Sequence, residues 1–186
     1  MTTALDLPLP DPLPEDVAEL FEKCQAKLGL IPNVLVAYAH RPDKLRAFGA
    51  MYNDLMLGPS GLSKLEREMI AVTVSAHNRC WYCQVAHGAQ VRALSGDPRL
   101  GEALVMNWRA ADLSARQKAM LDFSMRMTTD SAAIVEADRA VLRGHGFSDE
   151  DIWDIAAVAG FFNMSNHMAS AVGMQPNDDY HAMARG

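Results

Sequence analysis

Three times in this chain an apolar residue is followed by a serine, with a side chain able to bond back to it three residues later. The three sets are Leu62-Ser63 with Glu66, Leu113-Ser114 with Gln117, and Phe147-Ser148 with Asp151. A serine at the N-cap accepts from one of the free N–H groups of the first helical turn. A Glu or Gln three residues on completes a reciprocal capping box, and an Asp there favours the helix start by its charge. Each set therefore marks the start of a helix.

The stretches between them read as helix as well. Glu15 to Leu28 carries Val17, Leu20, Phe21, Cys24 and Leu28 at helical spacing and stops at Gly29. Asn33 to about Ala39 is a short apolar helix that ends before Pro42, and Asp43 to Leu57 is closed by Gly58-Pro59. Further helices are predicted from about Trp81 to Leu94, from about Arg99 to Trp108, and from Ala133 to Arg143. Alternating β-branched runs bounded by turns do not occur, so the fold class is all-α. Before Glu15, Pro8, Pro10, Pro12 and Pro14 exclude a helix. The chain thus divides into a proline-rich arm, 1–14, and one helical domain, 15–186; with 49% hydrophobic residues it can bury a sizeable core.

A faint echo runs through the pattern. Shifted by 85 residues, Leu62-Ser63 falls on Phe147-Ser148, Ile70-Ala71 on Ile155-Ala156 and Asn78 on Asn163. This suggests two capped helical hairpins, with Ser165 and Met168 standing where Cys80 and Cys83 stand in the first.

Net charge of −6 leaves nothing to neutralise a row of phosphates, which argues against a nucleic-acid partner. No apolar run approaches the roughly 20 residues of a membrane span, and the first residues show no secretory pattern. Three cysteines, an odd number, do not make an extracellular disulfide framework, so the reducing cytoplasm is the expected compartment.

The chemistry concentrates in Cys80-Trp81-Tyr82-Cys83, with His87 after it and Glu68 before it. Two thiols at this spacing can cycle between dithiol and disulfide. Cys80, Cys83 and His87 form one stripe of a helix. Cβ atoms three apart in a regular helix lie roughly 5–6 Å apart, whereas a disulfide wants about 3.5–4.5 Å. Cys80 is therefore expected at or just before the first turn, where unpaired backbone N–H groups also favour its thiolate. Glu68 lies about 18 Å from Cys80 along a continuous helix. A reversal centred on His77-Asn78 would instead set Glu68 opposite His87, as the orienting member of a proton relay.

Plainer readings compete. A CxxC pair can be two small residues filling a helix interior. Structural zinc would take Cys80, Cys83 and His87 but lacks a fourth ligand unless His77 supplies it; no cofactor or metal is expected. Haem attachment fails because Gln84 follows Cys83. Cys24 reads as a buried filler, His40, His145 and His181 as capping or solvated groups, and His167, inside an apolar helix, as a core residue.

Glu68, eleven residues, C-x-x-C, three residues and His87 together resemble the alkylhydroperoxidase D-like, carboxymuconolactone decarboxylase superfamily, nearest its peroxidase-related branch. The resemblance runs from Leu62 to about Leu94 and extends to Phe161-Phe162-Asn163. It implies an all-helical homo-oligomer, a trimer or hexamer, acting as a thiol-dependent peroxidase. It also implies a peroxide-reducing thiol at Cys83, a resolving and outward-facing thiol at Cys80, and a proton relay from Glu68 through His87. Tyr82 stands where the family carries a second relay histidine, and a phenol is a poor base at neutral pH. Decarboxylation is not expected, since the superfamily's decarboxylases lack the CxxC pair. The implied partners are a hydroperoxide and an external dithiol or protein reductant. The alternatives are a protein thiol–disulfide oxidoreductase and a non-catalytic oligomer whose Cys pair senses redox state or holds a metal.

Overall fold

A computed structural model describes residues 2–185. Among them ten α-helices and two 3₁₀ turns account for all regular structure. In order these are α1 (Glu15–Leu28), α2 (Asn33–Ala39), α3 (Pro42–Leu57), α4 (Lys64–His77), α5 (Trp81–Ser95), α6 (Leu100–Asn107), α7 (Ala115–Asp130), α8 (Glu136–Gly144), α9 (Asp149–Ala171) and α10 (Asp179–Ala182). The 3₁₀ turns, Trp108–Ala110 and Ser131–Ala133, follow α6 and α7.

All three serine caps form. Ser63, Ser114 and Ser148 accept from the backbone N–H of Glu66, Gln117 and Asp151, and the third residue of each set accepts from the serine N–H in return. Asp151 thus makes the same back-bond as Glu66 and Gln117, beyond its effect by charge.

α4 is the axle of the domain: ten of its fourteen residues are buried, and α5, α6, α7 and α9 pack around it. Met69, Ile70 and Val72 of α4 meet Leu104, Met120, Leu121, Ile155, Phe161 and Phe162 in the main core. Even charged side chains of α4 are drawn in and paired. Arg67 donates to the carbonyls of Leu55 and Gly58, tying down the end of α3, and Glu66 pairs with Arg116.

A second cluster packs Leu30, Cys80, Tyr82, Cys83, Ala86, Ala169, Met174 and Tyr180 together. It lies where α5 and the end of α9 meet the C-terminal tail, and that tail is held in place by named bonds. Arg92 donates to the carbonyls of Tyr180 (2.7 Å) and Met183 (3.0 Å). Asn177 accepts from the Asn33 N–H (2.8 Å) and donates to the Ile31 carbonyl (2.9 Å). Residues 5–14 carry no regular structure, and Thr2 and Ala4 pair through the backbone with Gln175 and Val172.

The 85-residue echo is structural only in part. Asn78 and Asn163 touch, with Asn78 donating at 2.8 Å. However, α9 runs unbroken through 163–168, so only α4 and α5 make a hairpin. The second half has no Schellman turn to stop its helix where α4 stops. His167 is exposed, because α9 carries apolar residues on its outer face too; Met164 and Met168 lie open near it and Trp153 lies open toward the start of the helix.

Candidate active site

The turn between α4 and α5 places the thiols. The Arg79 N–H donates to the Ala76 carbonyl (3.2 Å) and the Cys80 N–H to the Ser75 carbonyl (3.0 Å), the pair of bonds that defines a Schellman end. Such an end needs one left-handed residue. Arg79 fills it at φ 54°, a conformation that costs a non-glycine residue on the order of 1–3 kcal/mol. Cys80 then serves twice, as the residue that closes α4 and as the N-cap of α5, where its sulfur accepts from the Cys83 N–H at 3.4 Å.

That reversal carries Glu68 to His87. Glu68 Oε2 accepts from His87 Nδ1 at 2.7 Å across the hairpin, both side chains being buried. A carboxylate can only accept, so Nδ1 carries a proton and Nε2 is the nitrogen available for proton transfer. The edge of Phe162 packs against the imidazole, ring centroids 4.6 Å apart, and Tyr52 stands 6.5 Å away on another side. Burial, with the Glu68 charge adding to it, pushes the Tyr52 phenol far above its ordinary range.

The two thiols differ. The Cys83 thiol donates to the Cys80 sulfur, the Cys83 backbone N–H does the same, and the nearby His87 adds its field. Together these outweigh burial and bring the Cys80 thiol down to about 7. Cys83 goes the other way: hydrogen-bonded to the Cys80 anion and itself buried, its thiol is pushed well above its ordinary range, with Asn166 and Ser75 offsetting part of the rise. Around neutral pH the pair is therefore poised to take up one negative charge, and that charge rests on Cys80.

Cys80 does not face outward, as the family resemblance had implied. It is 1% exposed and Cys83 is 3% exposed, because the tail closes over them. Trp81, by contrast, is 55% exposed. Tyr82 is buried and its hydroxyl accepts from the Val34 N–H at 3.2 Å, so the phenol ties α2 to α5. Burial pushes that phenol well up, Tyr180 adding to it. Cys24 is half-buried, not fully buried, and burial raises its thiol. His77 is exposed at the end of α4, where it lines a separate cleft of about 900 Å³ with Lys118, Asp122 and Arg126. Among the described residues no three His, Cys, Asp or Glu side chains are arranged to hold a metal ion.

Sequence reasoning passed over the polar groups that α9 brings to this turn. Asn166 is fully buried, donates to Ser75 Oγ (2.9 Å) and accepts from Asn78 (3.0 Å). The available signal was a lone amide at an inward position of an apolar helix, since a buried polar side chain needs partners.

An all-helical domain with a thiol pair at a helix N-cap, backed by a carboxylate–imidazole pair, defines a peroxidase-related class of helical protein. The chain belongs to the alkylhydroperoxidase D-like, carboxymuconolactone decarboxylase superfamily. Residues 42–104 match the model of the carboxymuconolactone decarboxylase family. The fold is shared with an uncharacterized peroxidase-related protein from Silicibacter sp. TM1040, at 66% identity over 99% of this chain and 96% of the other, TM-score 0.97. It is also shared with an uncharacterized peroxidase-related protein with an alkylhydroperoxidase core from Ralstonia eutropha JMP134, at 45% identity over 100% and 98%, TM-score 0.96. The debrominase Bmp8 is similar in fold, with 20% identity over 95% and 94% and a TM-score of 0.78. No curated protein matches the chain.

Proposed function

We propose that this protein is a thiol-dependent peroxidase that reduces an organic hydroperoxide at the Cys80–Cys83 pair and is reset by an external dithiol. The single observation that carries the reading is the junction at the head of α5. A thiol with its titration brought down to about 7 sits there beside a second thiol and a Glu68–His87 pair.

In this scheme the Cys83 S–H passes its proton along its hydrogen bond to the Cys80 thiolate. The Cys83 thiolate attacks the terminal peroxide oxygen and the O–O bond breaks, leaving a sulfenic acid and an alkoxide. The alkoxide takes the proton that Cys80 has just received and departs as alcohol. The Cys80 thiolate then attacks the Cys83 sulfur and expels hydroxide, which leaves as water with a proton supplied through His87 Nε2. A dithiol reduces the resulting disulfide by exchange and returns two electrons and the protons. The chain supplies all of this without a cofactor, and the reducing cytoplasm suits the cycle.

The partners follow from that chemistry: a hydroperoxide, and a small dithiol or a protein that carries one. Open apolar side chains, among them Trp153 at 76% and Met106 at 82% exposure, support assembly into a homo-oligomer. A second reading, protein thiol–disulfide oxidoreductase, is favoured by the N-cap position and depressed titration of Cys80, which suit attack on a partner disulfide. The deciding test follows peroxide consumption with a panel of donors, including a dihydrolipoyl carrier and a thioredoxin system, beside disulfide exchange with a model protein. Brominated pyrroles belong in the substrate panel, because a debrominase of this fold has been seen with 2,3,4-tribromopyrrole. Donor-coupled loss of peroxide that vanishes in both Cys80→Ser and Cys83→Ser is the expected result. Exchange activity without peroxide turnover would replace the first reading by the second.

A further inference from the structure

We infer that Asn166 is the positioning residue that holds the anion of the Cys80–Cys83 pair, its amide N–H locked toward the sulfurs by a chain of side-chain amides; this rests on the thiol chemistry proposed above. The chain begins at a group with only one possible role. The Ala159 carbonyl can only accept, so the nitrogen that meets it at 3.0 Å fixes the orientation of Asn163, which also donates to Thr128 at 3.1 Å. Asn163 must then present its oxygen to Asn78, and Asn78 its nitrogen to Asn163 (2.8 Å). That same nitrogen has a second hydrogen, which goes to the oxygen of Asn166 (3.0 Å). Asn166 is left with its nitrogen facing Ser75, at the turn that carries the cysteines.

Asn166 therefore cannot turn an acceptor toward the thiols without breaking the chain. One of its hydrogens goes to Ser75 Oγ at 2.9 Å; the other has no oxygen partner among the described residues. The side chain is fully buried, so that hydrogen has no water to turn to. The carbonyl of that same Ser75 takes the Cys80 N–H (3.0 Å), so the amide sits beside the thiol turn, and it favours the anion at both sulfurs. Ser75 acts in series: its hydroxyl accepts from Asn166 and favours the anion at Cys83. A fixed donor of this kind suits a charge that moves between two sulfurs, because it serves either one without reorganising.

The titratable groups facing the pair are His87 and Tyr82 of α5 and Tyr38 of α2. Glu68 of α4 lies behind His87, and Tyr180 of α10 in the same cluster. None of these changes in an Asn166→Ala protein, so a shift in thiol titration reports the amide.

The test is the pH profile of alkylation of the reduced protein, resolved by peptide, with thiolate ultraviolet absorbance alongside. Hydrogen bonds to charged groups are among the stronger ones, and one pH unit corresponds to a tenfold change in thiolate below the midpoint. Asn166→Ala is expected to raise the Cys80 midpoint by about one unit, and the near-isosteric Asn166→Leu to do the same. Gln84→Ala, which loses a bond to the Ser75 carbonyl at 3.2 Å, should leave it unchanged. A midpoint in Asn166→Ala no higher than in Gln84→Ala overturns the inference. Should Asn166→Ala not fold, an unchanged midpoint in Asn166→Leu overturns it equally. No peroxide enters the measurement, so the peroxidase reading stands or falls separately.

Discussion

Glu68 and His87 should behave as one catalytic unit, and the geometry sets how much each is worth. Their contact is a buried hydrogen bond of 2.7 Å between a carboxylate and an imidazole, closed off by Phe162. A hydrogen bond to a charged group is worth about 1.5–3 kcal/mol, or roughly 10- to 150-fold in rate if it is lost only in the transition state. That is the expected effect of Glu68→Gln, which keeps the volume and an acceptor but removes the charge. His87→Gln removes the proton carrier itself and should cost about 10²–10⁴-fold. The double variant should be little slower than His87→Gln, because Glu68 has no function once the imidazole is gone. The interaction energy of the cycle should then nearly equal the whole Glu68 effect, about 1.5–3 kcal/mol. Single-turnover oxidation of the reduced protein by excess hydroperoxide measures this without the reductant, and Trp81, next to Cys80, offers a fluorescence signal. Circular dichroism on each variant checks that the hairpin still forms. Losses that multiply, giving a double variant slower than either single by the full product, would refute the relay.

Sulfenic acid should be trapped on Cys83 in the Cys80→Ser protein, formed more slowly because Cys80 no longer takes the Cys83 proton, and stopping after at most one turnover; trapping on Cys80 in Cys83→Ser reverses the two roles. In wild type the alkylation of Cys80 should rise with pH through about 7, since its anion gains population as pH passes the lowered midpoint. Cys24, raised by burial, should respond only on the alkaline side of 9.0; a Cys24 midpoint near that of Cys80, read by mass spectrometry, contradicts the assignment. Arg92→Ala frees the Tyr180 and Met183 carbonyls from α5. Through local opening it should speed alkylation of both buried thiols roughly several-fold while leaving the Cys80 midpoint in place; an unchanged rate would show that the tail does not gate access.

What could be read in advance is what local rules determine. The Ser63, Ser114 and Ser148 caps announced three helices because a cap is decided within four residues. The meeting of Glu68 with His87 followed from their equal distance to one turn, and that turn formed at 78–80. Exposure did not follow. Cys80 is covered because residues 174–183 fold back over it, a tertiary contact with no local signature, and α10 within that tail is only four residues long. His167 was misplaced for the opposite reason: α9 is apolar on its outer face as well as its inner one, so periodicity gives no direction.

The asymmetry between the two halves explains why chemistry appears once. Asn78 and Asn163, equivalent under the 85-residue shift, bond to each other, so α9 crosses α4 at the residue where α4 ends. On the first side, Arg79 takes a left-handed conformation and the chain turns back, which frees the N–H groups at the head of α5 to face Cys80. On the second side the helix continues, its N–H groups stay bonded within it, and a thiol at Ser165 would have no such field. The unbroken helix contributes instead by position. One turn beyond Asn163 it brings Asn166 over Ser75 and the sulfurs, and it sets the Phe162 edge on His87. A break in α9 to match the first half would fall between Phe162 and Asn166 and separate the two groups, so one bent hairpin and one continuous helix are together what the thiol pair requires.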